Sequence, residues 1–255
     1  MKNKFTILGC GSSLGSPWIT GFKGKLKKNK KNLRSRCCAH IKYENLSILI
    51  DTSPDIKQQI QKNKINFLDA VLYTHEHADQ TSGIFEIKPF SWVNNKKIPV
   101  YGSNRTIKHL KKQYKYCFYG VKDYKPFLNS NIVKNKFNIK KKNNILPISI
   151  FNVNHGLIKS SAYIIEKIAY LSDCNKIPIK SIKYFHNLNY LIIDCLKRKK
   201  HPSHFNFEDV LRIVKTIKPK KTILVNLSLD FDYFSLKKKL PKNIIPAYDG
   251  LSFNF

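Results

Sequence analysis

Short apolar runs alternate with polar and glycine-rich stretches along the whole chain, the pattern of strands that end in loops. Residues 5–8 read as a strand running into Gly9-Cys10-Gly11-Ser12-Ser13. Residues 39–43 and 47–50 read as two strands across a turn at Glu44-Asn45, the second ending at Asp51. Residues 70–73 and 99–101 predict further strands, and 104–114 a helix. In the second half, a strand over 147–153 ends at Asn154-His155-Gly156, and 161–165 with 168–171 form a hairpin across Glu166-Lys167. A strand over 190–193 ends at Asp194. Helical spacing of Phe207, Val210, Leu211 and Val214 behind the cap Asn206 predicts a helix over 207–217. Residues 222–225 read as a strand and 230–240 as a helix. No internal repeat or flexible linker interrupts the pattern, so 1–255 is expected to form a single domain. Strands ending in polar chemistry and followed by helices predict a layered α/β sandwich with its site at one edge of the sheets.

Composition narrows the class. Hydrophobic residues make up 42% of the 255 residues, which excludes a disordered chain despite a formal charge of +31. No stretch approaches the ~20 apolar residues of a membrane span. The apolar run within residues 1–8 is too short for a signal peptide, so a cytoplasmic protein with no membrane partner is expected. Cys10, Cys37, Cys38, Cys117, Cys174 and Cys195 are then read as thiols. The charge comes from 42 Lys against 5 Arg, spread through every segment together with 24 Asn. Sequence readers of nucleic acid lean on Arg, so the distribution favours compositional bias over a designed polyanion face. A field this positive still draws anionic substrates toward any cleft.

The informative segment is Thr74-His75-Glu76-His77-Ala78-Asp79-Gln80, directly behind a strand. It projects two imidazoles and a carboxylate into a small volume, which suits a divalent ion better than a surface loop. His155 and Asp173 each follow another strand and add a third imidazole and a second carboxylate. Alone, each is an ordinary cap or turn residue. Together they assemble a site from strand ends.

His75-x-His77-x-Asp79, His155, Asp173 and the strand-closing Asp51 resemble the metallo-β-lactamase superfamily. The resemblance implies a four-layer αββα sandwich of metal-dependent hydrolases. Leu8-Gly9-Cys10-Gly11-Ser12-Ser13, Ile48 through Asp55, Leu191-Ile192-Ile193-Asp194, His201-Pro202-Ser203-His204-Phe205 and Pro246-Ala247-Tyr248-Asp249-Gly250 are similar to its phosphoribosyl cyclic phosphate phosphodiesterases. By position, the resemblance implies that His75, His77 and His155 bind a first metal, Asp173 bridges to a second, and Asp79 binds that second ion. His204 matches a histidine near the substrate phosphate and is the candidate acid for the leaving oxygen, with His201 as second choice. Asp51 and Asp194 are expected to orient ligand histidines.

Two departures fall on the same ion. Gln80 stands where the family has histidine after Asp79, and Ser228 stands for histidine in Asn226-Leu227-Ser228-Leu229-Asp230. The expectation is therefore one Zn²⁺ per chain, or a mixed site whose second, oxygen-rich position (Asp79, Asp173, Gln80, Ser228) takes Mn²⁺ or Mg²⁺. A fold that has kept its shape and lost turnover is the third reading. The preferred one is a hydrolase of a small phosphodiester, cyclic ones included, through a metal-bound hydroxide, with Asp79 as base and His204 as acid. Alternatives are an RNA-processing nuclease resembling ribonuclease Z, although no Gly/Pro-rich arm is evident, and a non-catalytic nucleic-acid or phosphate binder. The sequence is compatible with a homodimer. The stretch 114–127 reads as a lid or as a loop filling the core edge, and no structural zinc is expected on the cysteine-free residues 25–29.

Overall fold

The computed structural model describes residues 3–255; Met1 and Lys2, part of the N-terminal reading above, lie outside the described residues. Two seven-stranded sheets carry the fold. The first contains β1 (Lys4–Gly9), β2 (Cys38–Tyr43), β3 (Leu46–Ile50), β4 (Ala70–Leu72), β5 (Ile98–Gly102), β6 (Leu128–Ile132) and the last strand, β14 (Leu251–Asn254), in the order β14-β1-β2-β3-β4-β5-β6. The second contains β7 (Lys136–Lys141), β8 (Asn144–His155), β9 (Ile158–Ile165), β10 (Ile168–Leu171), β11 (Tyr190–Asp194), β12 (Lys221–Val225) and β13 (Ile244–Pro246), in the order β13-β12-β11-β10-β9-β8-β7. Eight α-helices accompany them among the described residues: α1 (Ile56–Lys62), α2 (Ala78–Thr81), α3 (Lys88–Val93), α4 (Asn104–Gln113), α5 (Lys115–Tyr119), α6 (Ile179–Ile182), α7 (Phe207–Ile217) and α8 (Tyr233–Lys239). The chain divides into two compact units. One holds the N-terminal segment to Leu8, Cys38–Pro147 and Gly250–Phe255; the other holds Gly9–Cys37 and Ile148–Asp249.

In the first unit β3, β4, β5 and β6 run parallel, with β2 antiparallel to β3. Every residue of β3 is buried, as its continuous apolar run requires. Leu49, Val71 and Val100 pack with Ile56 of α1 and Ile107 and Leu110 of α4 in one core. Ser103 starts α4 by accepting a hydrogen bond from the Thr106 amide at 3.2 Å. The stretch 114–127, open between lid and core edge, holds α5, whose Cys117 and Phe118 join that core together with Phe127.

In the second unit β10, β11, β12 and β13 are parallel, and β8, β9 and β10 antiparallel. Leu171, Leu191, Ile193 and Leu224 form a core with Val210, Val214 and Ile217 from the apolar stripe of α7. Asn206 caps α7 through the Asp209 amide at 2.8 Å, and Lys218 ends it in the left-handed region at φ 53°. α8 begins at Tyr233, later than the pattern predicts, because Asp232 is its cap and accepts from the Ser235 amide at 3.0 Å. The basic loop 21–36 is tied down by buried Arg34, which donates to the carbonyl oxygens of Phe231 at 2.5 Å and Ser228 at 3.2 Å. All six cysteines are buried thiols, and no helix among the described residues is long and apolar enough to cross a membrane.

One feature of the first sheet sets an acid limit. The Ser47 hydroxyl donates to the Phe67 carbonyl at 2.5 Å, so its oxygen accepts from His40 Nε2 at 2.8 Å and holds the ring in one neutral tautomer. Burial, then Lys4 and Lys42, push the His40 pKa down to about 4. Below the ordinary value of ~6.5 the unfolded chain binds this proton and the folded chain does not. The His40 contribution is thus complete above that value and is lost as pH falls from ~6.5 toward about 4, where it levels off. Urea midpoints measured at pH 7.5 and 4.5 should differ less in His40→Gln than in the wild type, by about 1–3 kcal/mol. An unchanged difference would remove His40 from the acid sensitivity.

Candidate metal centre

Each unit carries chemistry at the carboxyl ends of its own parallel strands, where α/β sheets place their ligands. In the first unit β3 stops at Asp51, which adopts the left-handed region at φ 65°. Its fully buried carboxylate accepts from the Thr74 amide and the Thr74 hydroxyl, both at 2.8 Å. With its proton committed to Asp51, the Thr74 hydroxyl accepts from His75 Nδ1 at 3.0 Å. That fixes His75 with Nε2 as the lone-pair nitrogen, the form a metal takes. Asp51 thus reaches His75 through Thr74, an intermediary the motif does not single out.

The rings of His75 and His77 lie 4.6 Å apart at 73°, one buried and the other exposed. His77 stands at the N-cap of α2 and Asp79 in its first turn. The Gln80 side-chain amide donates to Asp79 Oδ2 at 3.0 Å, stabilising the charged carboxylate. The residue that departs from the family pattern therefore has a local task. The α2 turn is clamped to the end of β3: the Thr52 amide donates to the Gln80 carbonyl at 2.8 Å and the Gly83 amide to the Thr52 carbonyl at 2.9 Å. Glu76 points into another contact, accepting from Arg105 Nε at 2.5 Å.

In the second unit His155, Asp173 and His204 each offer a donor atom within 4.8 Å of the others. His155 ends β8, and its Nδ1 donates to the Ser203 carbonyl at 2.7 Å, again leaving Nε2 as the lone-pair nitrogen. Asp173, behind β10, accepts from the Asn226 side-chain amide at 3.2 Å. Asn226 follows β12 at φ 59° and also donates to the Ser172 carbonyl at 3.0 Å. His204 Nδ1 lies 2.7 Å from Asp194 Oδ2 and 3.9 Å from Asp173 Oδ1. Its ring is 4.7 Å from that of His155 and 5.1 Å from that of His201. His201 Nδ1 is occupied by the Ser203 hydroxyl at 3.2 Å, and burial, then His204, lower its pKa.

Asp194 is fully buried. Its Oδ2 also accepts from the Cys174 amide at 2.9 Å, while Oδ1 has no hydrogen-bond partner among the described residues. Burial pushes its pKa up to about 7, with His204 pulling in the opposite direction. Through this bond Asp194 orients the His204 ring. Ser228, the second departure, accepts from the Asp230 amide at 3.3 Å and closes a turn. Three groups central to this geometry escaped sequence reasoning in their roles: Thr74, the Ser203 carbonyl and the Asn226 amide. Thr74 carries a signal as a hydroxyl residue adjoining His75, and Asn226 as the first residue of the Asn-Leu-Ser-Leu-Asp segment, whereas the Ser203 carbonyl carries none.

A family model described as a β-lactamase superfamily domain matches residues 47–225. Among solved structures, the chain is similar to a diphosphatase of the PhnP family, 28% identical with TM-score 0.90, over 100% of this chain and 98% of that one. The metallo-β-lactamase-fold protein YhfI from Bacillus subtilis is 17% identical with TM-score 0.75, over 100% of both chains. Human tRNase Z, short form, is 15% identical with TM-score 0.71, over 98% of both. These two likenesses are of fold alone. An octanoyltransferase of Porphyromonas gingivalis is 29% identical over 96% of this chain, which spans 50% of that relative's length.

Proposed function

Since the chain belongs to the β-lactamase superfamily, with its α/β sandwich of αββα layers and its metal-binding hydrolases, we propose that it is a metal-dependent phosphodiesterase acting on a small phosphodiester, cyclic ones included. The observation that carries the reading is the cluster of buried His155 and Asp173 with half-buried His204, and Asp194 behind the last of them. The donors fit a divalent cation: imidazoles held by Nδ1 so that Nε2 is the lone-pair nitrogen, beside a buried carboxylate. Metal-holding roles would fall to His75, His77 and Asp79 in the first unit and to His155 and Asp173 in the second. A divalent ion held by these residues would supply polarisation of a phosphoryl oxygen and a water made competent as a nucleophile at neutral pH.

The chain's own residues supply the proton movements. Asp79, kept charged by Gln80, accepts a proton from the attacking water. His204, oriented by Asp194, delivers one from its protonated ring to the departing alkoxide. The strongly positive surface raises the local concentration of anionic substrate. Support for phosphoryl chemistry comes from the diphosphatase relative, whose name also places a diphosphate among the substrates to assay. The octanoyltransferase is twice as long as the matched part, and nothing in the donor set favours acyl transfer over phosphoryl transfer.

His204→Gln separates proton delivery from other roles. On a cyclic ribose phosphodiester, whose leaving alkoxide needs a proton, the variant should lose about 10²–10⁴-fold in kcat. On bis(p-nitrophenyl) phosphate, whose leaving group needs none, the loss should be small. Equal losses on both substrates would make His204 a metal ligand instead of the acid.

A further inference from the structure

The first unit contains a cavity of about 400 Å³ bordered by Lys4, Lys42 and Lys64, with His40, Asn63 and Glu44 among its other polar lining residues. Its place in the sheet separates it from the metal-site residues of that unit. His40 and Lys42 lie on one face of β2, and Lys42 pairs with Ser47, the second residue of β3. Asp51 closes the other end of β3, four residues or about 13 Å farther along. His75 lies beyond the same far end, because β4 runs parallel to β3.

The lining is selective in charge. Three ammonium groups face one carboxylate, a net positive balance around a space of the size that holds a small metabolite. His40 is organised, with Nε2 committed to Ser47, so Nδ1 accepts a hydrogen bond when the ring is neutral and donates one when it is charged. The Asn63 side-chain amide donates to the Gln59 carbonyl at 2.9 Å, which leaves Oδ1 as its acceptor. Cations beside fixed acceptors match an anionic group attached to a hydroxyl-bearing body.

We propose that this cavity is a second ligand site, independent of the metal centre, that takes a small phosphorylated molecule such as a sugar phosphate. Burial, then Lys4 and Lys42, depress the proton affinity of His40, so an anion that offsets the two ammonium charges raises it part of the way back. Ligand binding near pH 5, just above the His40 pKa of about 4, should therefore be accompanied by partial proton uptake at His40.

The test is a titration of the full chain with ribose 5-phosphate, and separately with inorganic phosphate, following the His40 imidazole by NMR at constant ionic strength. A saturable shift of the His40 signal is expected, with affinity falling about tenfold or more in the Lys42→Glu/Lys64→Glu variant. Metal content should be unchanged in that variant, and Lys42→Gln/Lys64→Gln provides the same comparison if charge reversal impairs folding. A response to inorganic phosphate equal to that of the sugar phosphate would reduce the site to a phosphate pocket and overturn the sugar-phosphate assignment. No saturable shift, or equal affinity in the variants, would overturn the site itself.

Discussion

Asp173→Ala should lower phosphodiester hydrolysis by at least roughly 10³-fold and strip the chain of its tightly held divalent ion. Asp173 is buried, lies among the donors of His155 and His204, and takes a hydrogen bond from Asn226. A carboxylate placed so has little purpose in stabilising the fold alone, because burying its charge is costly unless a cation compensates. The same substitution should therefore leave the metal-free protein as stable as the metal-free wild type, or more so. Chelator-treated samples of both, unfolded in urea, give that comparison, and elemental analysis of untreated samples gives the metal. Retained metal and near-normal rates would show that the ion, if any, sits elsewhere.

Gly83→Ala should damage both stability and metal binding from a position that touches no metal-site side chain. Its φ is an ordinary −84°, so the demand for glycine is purely steric. A Cβ there would lie 2.1 Å from the Ser53 carbonyl oxygen and 2.5 Å from Ile56 Cγ2. Neither the backbone oxygen nor the buried, branched Ile56 yields easily. Relief requires separating α2 from the end of β3, breaking the Thr52 and Gly83 backbone bonds that seat His77 and Asp79. Overpacking of this kind costs about 1–3 kcal/mol, occasionally more. Urea unfolding should show that loss, and metal titration a weakened site. A variant as stable and as metal-avid as the wild type would mean that the clamp is not needed to hold the α2 turn.

The elements that were legible in the sequence are those whose pattern and end signals agree. α7 spans the predicted residues because the stripe of Val210, Val214 and Ile217 and the cap Asn206 point to the same boundaries. β11 and β12 shift by only one residue at an end, their apolar runs being complete. α1 went unread because Ile-Lys-Gln-Gln-Ile-Gln-Lys holds too few apolar positions to show a period. β6, with Leu-Asn-Ser-Asn-Ile, and β7, with Lys-Phe-Asn-Ile-Lys-Lys, are edge strands whose polar residues suppress the strand signal. β8 extends to His155, two residues past the predicted end, so the histidine closes a strand instead of opening a loop.

In the candidate site, the types of the donor residues were visible and their support was not. Asp194 could be named from its place behind an apolar run, but not its pairing with His204 or the near-neutral proton that burial gives it. The contact of His155 with the Ser203 backbone is written in no side chain. Likewise, Gln80 and Ser228 read in sequence as losses from a metal site, whereas in the structure one braces Asp79 and the other closes a turn.

On the proposed function, a metal held by these histidines and carboxylates drives phosphodiester hydrolysis. Its most direct test measures metal per chain and bis(p-nitrophenyl) phosphate turnover on one sample purified without chelators, before and after chelation and after adding Zn²⁺ or Mn²⁺ back. The account expects about one divalent ion per chain, with turnover that disappears on chelation and returns with metal. A chain that binds no metal and hydrolyses nothing under either ion would contradict it.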